Sequence, residues 1–373
     1  MNVAEFRSNL RAWLDENDLT PPPDDHSLDA HHAQHSRVLS ALYDAGWMRW
    51  GWPESAGGLG GPVILRAVVG EEIVGRGLDE PGPYSMLEVL TPTLIDYARP
   101  ELAAEMVPLL LSGRETWCQG FSEPGSGSDL ASLSTRAEQR GDEWVVNGQK
   151  VWTSFAQYAT RCVLLTRSGP PGAPNHEAIT TFFVDMDTPG ITVRPLRTMH
   201  GVDEFCEVYF DDVVVPADRM LGQPGDGWRL AMDLVPFERS TCFWQRIAYL
   251  YSRFDRLIAE VNDRGVQDGA DDTALGAAYL GLHMLRCRSR DTQYRLGTGT
   301  RLGPDTSIDK VLLATAEQRI YDAAHDLLAG AIELDESSWR TEYLYSRSAT
   351  IYGGTAEIQR NIIARRLLDL GKE

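Results

Sequence analysis

Apolar positions repeat with a helical period in the first third of the chain, with a period of two in the middle, and with a helical period again to the end. Phe6, Leu10, Trp13 and Leu14 fall at i, i+4, i+7 and i+8, the stripe of a helix that stops before Pro21-Pro22-Pro23. Similar spacing predicts helices over about 29–47, 62–76, 85–98 and 100–112. From Trp117 the period is two, predicting strands over about 134–138, 144–146, 150–154, 162–166, 179–185, 191–195 and 204–213. Gly and Pro clusters such as Gly169-Pro170-Pro171-Gly172 separate them. The helical period returns at Trp228 and predicts one long helix to about Val261 and a polar loop over 265–272. Further helices are predicted over about 273–293, 307–328, 339–346 and 355–370. Asn147-Gly148 between apolar alternations reads as a hairpin turn, so Trp152, Thr153 and Ser154 should sit on a strand facing back toward the preceding loop.

Helices, then strands, then helices predict an α+β protein. The predicted parts are an N-terminal helical domain over 1–116, a β-domain over 117–222 and a C-terminal helical bundle over 223–373. A length of 373 residues suits two or three domains, and 43% hydrophobic with 24% charged residues is an ordinary globular composition. The net charge of −19 argues against nucleic acid as a partner, since a duplex needs a basic face to displace its counterions. No run of about 18 apolar residues occurs and the N-terminus mixes charge into its apolar positions, so no membrane segment is expected and a cytoplasmic location is. Cys118, Cys162, Cys206, Cys242 and Cys287 are odd in number and widely spaced, which argues against disulfides and a zinc site. His31, His32 and His35 have a spacing that could hold a metal, but no partner ligand is positioned, and an exposed polar helix face accounts for them. Gly57-Gly58-Leu59-Gly60-Gly61 lacks nucleotide-box spacing and reads as a loop.

Ser122-Glu123-Pro124-Gly125-Ser126-Gly127-Ser128-Asp129 gathers hydroxyls and free backbone N–H groups on one short arc. Such an arc lines a phosphate or a polar ring edge well, although taken alone it also reads as a surface loop. The whole stretch from Gln119 to Ser154 resembles the flavin-binding signature of the acyl-CoA dehydrogenase family. Ile351-Tyr352-Gly353-Gly354-Thr355-Ala356-Glu357-Ile358-Gln359-Arg360 resembles that family's closing motif. The likeness covers most of the chain, with both motifs in the family's order.

This resemblance implies a β-barrel-like middle domain, a C-terminal four-helix bundle and FAD held between them. It implies α,β-dehydrogenation of an acyl-CoA, or an acyl-carrier thioester, to the trans-2-enoyl product, with electron-transfer flavoprotein as the electron acceptor. A homodimer or tetramer is implied too, with a mixed assembly containing a homologous subunit as an alternative. Gln119, Phe121, Ser122, Gly127 and Ser128 match positions that contact the flavin or its phosphates, Ser128 also reaching the substrate. Trp152, Thr153 and Ser154 match those lining the flavin ring, with plain core packing the alternative for Trp152. Thr355 and Glu357 match positions near the adenine half or pyrophosphate. Tyr352 falls near the substrate, with core packing an equal alternative.

The family's chemistry needs one desolvated carboxylate over the substrate's α-carbon. Many relatives carry it just before the Gly-Thr of the closing motif, where this chain has Gly353. A minority resembling the long-chain and isovaleryl members carry it in a Glu-Arg pair on the helix after the β-domain, here Glu238-Arg239. Glu238 is therefore the candidate base and Arg239 a candidate for CoA contact. Gly353 is expected to offer its backbone N–H to the thioester carbonyl. The usual arginine motif that reaches a neighbouring subunit's flavin is absent: the region reads Asp263-Arg264-Gly265-Val266-Gln267-Asp268, and Pro236 stands where an aspartate near CoA is common. Three readings stay open: a dehydrogenase, an oxygen-using flavoenzyme of the same fold, and a partner subunit with weak or no activity alone.

Overall fold

Phe6, Leu10 and Leu14 bury one face of α1 (Val3–Glu16), whose start is capped by the Asn2 side chain accepting from the Glu5 N–H. This was established in a computed structural model that describes residues 2–22, 27–170, 172–241, 243–264, 269–328, 330–334 and 337–371. Four helices follow: α2 (Leu28–Asp44), α3 (Ile64–Gly75), α4 (Pro81–Tyr97) and α5 (Pro100–Leu111). Pro81 and Pro100 open their helices, where a missing N–H costs nothing. Nearly every residue of α3 is buried, as a helix with neighbours on several sides requires.

The middle strands are β1 (Trp117–Gly120), β2 (Arg136–Arg140), β3 (Glu143–Ser154), β4 (Arg161–Arg167), β5 (Ile179–Asp185), β6 (Ile191–Leu196), β7 (Phe205–Pro216) and β8 (Met220–Leu221). They pair in the order β6-β7-β3-β2-β4-β5-β8, with β1 parallel to β4. The path does not close, so the barrel-like middle expected above is an open sheet with edges at β6 and β8. Alternation sorts β4 between two cores. Val163 and Leu165 join the helical core, while Cys162 and Leu164 face a second cluster with Trp144, Phe182 and Phe210.

The hairpin turn is Gly141-Asp142, between β2 and β3, and Asn147-Gly148 is no turn at all. It lies inside β3 at a register shift against β7, where the Asn147 amide donates to the Asp212 carboxylate at 3.0 Å and its oxygen accepts from the Asp212 N–H at 2.9 Å. The permissive backbone that suits a hairpin serves a bulge equally well. Gly148 is required there: it has φ 153°, and a Cβ would lie 2.5 Å from Thr135 Oγ1 and 2.6 Å from Thr135 Cα. Gly148→Ala is expected to cost about 1–3 kcal/mol through overpacking, read as a lower denaturation midpoint. An unchanged midpoint would show that the bulge relaxes.

The C-terminal part comprises α6 (Gly227–Glu238), α7 (Phe243–Arg264), α8 (Gly269–Gly297), α9 (Thr306–Leu327), α10 (Ser338–Ser346) and α11 (Ala356–Ile362), which runs into a wider turn over Ile363–Leu367. The single long helix expected from Trp228 is broken after Glu238. The Ser240 hydroxyl takes the Pro236 carbonyl at 2.9 Å, while the Ser240 N–H turns to the Phe237 carbonyl at 3.2 Å, three residues back instead of the helical four. Asp271 and Asp272, expected in a loop, stand in the first turn of α8. Gly265, Val266, Gln267 and Asp268 lie outside the described residues.

The α2 histidines do not form one exposed face. His35 is buried with Nδ1 2.7 Å from Asp79, His32 stacks on Tyr158, and His31 lies 3.9 Å from Glu80. Cys118, Cys162 and Cys206 are buried thiols and Cys287 is exposed, whereas Cys242 lies outside the described residues. Among the described residues no helix is long and apolar enough to cross a membrane.

Candidate active site

Because α6 ends at Glu238, that carboxylate projects from a helix C-terminus toward the closing turn near the end of the chain. A Cβ on Gly353 would lie 3.4 Å from Glu238 Oε1 and 3.4 Å from Lys310 Cε, so a larger residue at 353 would compete with this carboxylate for space. Desolvation raises the Glu238 pKa above its ordinary 4.5, while Arg239, Lys310 and a hydrogen bond from Gln119 partly oppose it. The carbonyl end of α6 disfavours negative charge in the same sense as desolvation. Gln119 thus ties the end of β1 to the end of α6.

The closing turn is built for close approach. Gly353 and Gly354 have φ 60° and 92°, conformations that cost side-chain-bearing residues strain. The Gly353 carbonyl accepts from Arg239 Nε at 3.2 Å and from Gln359 Nε2 at 3.0 Å. Arg239, the candidate for CoA contact, braces the turn through this bond. Tyr352 is half-buried with its ring 3.7 Å from Lys310 Nζ, which also donates to the Ala349 carbonyl at 2.6 Å. Lys310 carried no sequence signal beyond a lysine on an otherwise buried helix face.

The serine-glycine loop follows β1 directly. Ser122 is half-buried, Gly127 and Ser128 are exposed, and a Cβ at Gly125 or Gly127 would touch nothing within 4 Å. Phe121 is buried in the helical core, so its backbone rather than its ring lies nearest the loop. β3 closes on the loop through the Val151 N–H donating to the Ser122 carbonyl at 2.9 Å. Trp152 is 59% exposed, which removes core packing as its explanation. Its φ of 60°, and 55° at Phe155, are left-handed conformations that cost non-glycine residues about 1–3 kcal/mol each. Thr153 Oγ1 is buried without a hydrogen-bond partner among the described residues, and Ser154 is half-buried.

Beneath the loop sits an ion pair that the pattern of residues did not announce. Lys150 is fully buried and donates to Glu123 Oε1 at 2.8 Å and to the Phe121 carbonyl at 3.0 Å. Glu123 also accepts from the Ser134 N–H and hydroxyl and from the Thr135 N–H, at 2.6–2.8 Å. Burial works against the Glu123 charge, but Lys150, Ser134 and Thr135 outweigh it and hold its pKa at about 2. Burial lowers Lys150 to about 8 despite Glu123. A lysine between Gly148 and Trp152 on a strand was the one available signal.

Thr355 caps α11, its hydroxyl accepting from the Ile358 N–H at 3.3 Å, and Glu357 is exposed in that helix's first turn. Arg264 ends α7. A groove of about 440 Å³ elsewhere is lined by Arg7, Arg11, Glu71 and Glu72 among others; these charges pair with one another, and no chemistry is assigned to it.

An exposed indole, an orphaned buried hydroxyl and an uncrowded loop of serines and glycines fit a flat heteroaromatic group with a polar edge and a phosphate tail. Comparison with known proteins names that group's class. Three family descriptions match in succession: acyl-CoA dehydrogenase N-terminal domain over residues 3–114, middle domain over 118–213 and C-terminal domain over 225–368. The acyl-CoA dehydrogenase IpdE1 of Mycobacterium tuberculosis is 36% identical over 388 residues, covering all of this chain and 99% of that protein. Among solved structures, the Tcur3481-Tcur3483 steroid ACAD superposes with a TM-score of 0.87 at 25% identity, covering 99% of this chain and 98% of that one. The ChsE4-ChsE5 complex of Mycobacterium tuberculosis superposes with a TM-score of 0.82 at 25% identity over the whole of both chains. The chain belongs to the acyl-CoA dehydrogenase family, flavin-dependent oxidoreductases that act on acyl-CoA.

Proposed function

We propose that this chain, with FAD bound, converts an acyl-CoA to its trans-2-enoyl-CoA, and that Glu238 takes the α-proton. The observation that carries the assignment is the 3.4 Å approach of Glu238 Oε1 to the Cβ position of Gly353. It supports a carboxylate occupying the space that a base at 353 would fill. Bound FAD would supply the hydride acceptor for the β-hydrogen. Desolvation makes Glu238 a stronger base than an exposed glutamate, and Gln119 holds the carboxyl in one orientation. Arg239 and Gln359 hold the Gly353 backbone, whose N–H is our candidate donor to the thioester carbonyl. Tyr352 borders the acyl group. Trp152, Thr153 and Ser154 would hold the flavin ring, Ser122, Gly127 and Ser128 its phosphates, and Thr355 and Glu357 its adenine side. Electron-transfer flavoprotein is the reoxidant we infer.

The absorption spectrum of the purified chain, followed by anaerobic titration with acyl-CoAs, tests this. A flavin band that bleaches is the expected result, and a retained flavin that no thioester reduces would refute it. A second reading is favoured by Tyr279, Leu280, Met284 and Tyr294, apolar side chains exposed along α8 by 48–72%. In it, a homologous subunit covers this face and completes the cofactor site, and flavin is retained only after co-expression with that subunit. The names of the two complexes above are compatible with it.

A further inference from the structure

A path of aromatic rings leads from the proposed base to a polar cluster that a saturated hydrocarbon tail cannot satisfy. Tyr352, next to Gly353, packs on Tyr345 at 6.3 Å between centroids. Tyr345 meets His200 edge-on at 5.2 Å and carries the Arg246 guanidinium over its ring at 5.0 Å. Glu204 stands beside His200, its Oε1 3.8 Å from Nε2, too long for a hydrogen bond. That oxygen is buried and has no hydrogen-bond partner among the described residues. The His200 side chain is 7% exposed, with Nδ1 2.8 Å from the Thr198 hydroxyl. The cluster draws on the turn before β7, on α7 and on α10, and only the tertiary fold assembles it.

We infer that Glu204, His200 and Tyr345 recognise a neutral oxygen, a hydroxyl or a ketone, on the part of the acyl group remote from the carbon that Glu238 deprotonates. This rests on the reading of Glu238 given above. The charge distribution selects a neutral oxygen over a carboxylate. Arg246 is bonded to Glu317, and Glu342 accepts from the Tyr249 and Tyr321 hydroxyls nearby, so a further negative charge meets more carboxylates than cations. Burial pushes Glu204 up to about 7 against the opposing pull of Arg246, with Glu80 and Glu342 adding to the rise. Burial also lowers His200. Near neutral pH, Glu204 therefore has both a donor and an acceptor form: the first suits a ketone, the second a hydroxyl. A purely hydrocarbon acyl group would seal Glu204 Oε1 in an apolar contact without a partner.

The test compares binding rather than turnover, so that it stands apart from the role of Glu238. The full chain with FAD is titrated calorimetrically with two CoA thioesters of one alicyclic acyl skeleton, one bearing a ring ketone and one without it. A third carries a carboxylate at the same position. The ketone is expected to bind at least about tenfold tighter than either analogue. Glu204→Leu should weaken the ketone alone and bring its affinity to that of the plain ring; Glu204→Gln, which keeps a donor and an acceptor, should retain part of the preference. Equal affinities in the unaltered protein, tightest binding of the carboxylate, or no binding of any of the three overturns the inference whatever the variants do. A uniform loss across the three in Glu204→Leu also overturns it, because that is the mark of a structural role. Failure of every bound thioester to bleach the flavin would count against Glu238 and leave the affinity ratio readable.

Discussion

Glu238→Gln is expected to abolish reduction of bound flavin by acyl-CoA, lowering the anaerobic bleaching rate by about a thousandfold or more, within the usual range for losing a general base. Flavin content should not change, because Glu238 contacts the closing turn and Gln119 rather than the serine-glycine loop. The variant should also be at least as stable as the parent at pH 8. A carboxyl whose folded pKa is raised contributes stability fully below its unfolded value near 4.5, and that contribution is lost as pH rises through the folded value. The uncharged amide avoids this loss. In the parent, the rate should fall as pH drops through the raised pKa, since only the carboxylate takes a proton. Bleaching by Glu238→Gln at more than a tenth of the parental rate would remove Glu238 from the mechanism.

Lys150→Met is expected to destabilise the chain by about 3–5 kcal/mol and to empty the flavin site. The stability cost is that of stripping one partner from a buried ion pair. Lys150 also holds the Phe121 carbonyl at the root of the loop, so its removal frees the backbone from which Ser122 to Ser128 hang. Glu123, at about 2, contributes stability that is present above its ordinary 4.5 and lost as pH falls toward 2; without Lys150 much of that acid dependence should vanish. The lowering of Lys150 runs against it, so the intact pair adds little net stability, and its value is positional. Chemical denaturation together with the flavin-to-protein absorbance ratio at saturating FAD checks both parts. A lower unfolding midpoint with undiminished flavin occupancy would make the pair structural only.

The helices and strands were legible where periodicity was long and uninterrupted. The stripe of Phe6, Leu10 and Leu14 and the alternation over Ile179–Asp185 were matched by elements at nearly the predicted bounds. Misreadings came from residues with two possible uses. Asn147-Gly148 serves a hairpin or a bulge with the same backbone freedom, and the opposing Asp212 on β7, remote in sequence, decides which. Pro236 sits inside α6, and the break comes later, where the Ser240 hydroxyl occupies the Pro236 carbonyl that the Ser240 N–H would take in a continuing helix.

By itself the sequence determined the order of helical and β segments, which local spacing and residue type carry, while its resemblance to the acyl-CoA dehydrogenase family nominated Glu238 and the glycine-bearing closing turn. Only the tertiary structure decided that Glu238 faces Gly353 across 114 residues of chain from Arg239, whose guanidinium bonds the Gly353 carbonyl. It alone decided that Lys150 is buried on Glu123, and that Glu204, His200, Arg246 and Tyr345 meet around one unpartnered oxygen. The physical reason is burial. Desolvation and the partners a charge finds set its pKa and its use, and both are fixed by segments that packing, not adjacency in the chain, brings together.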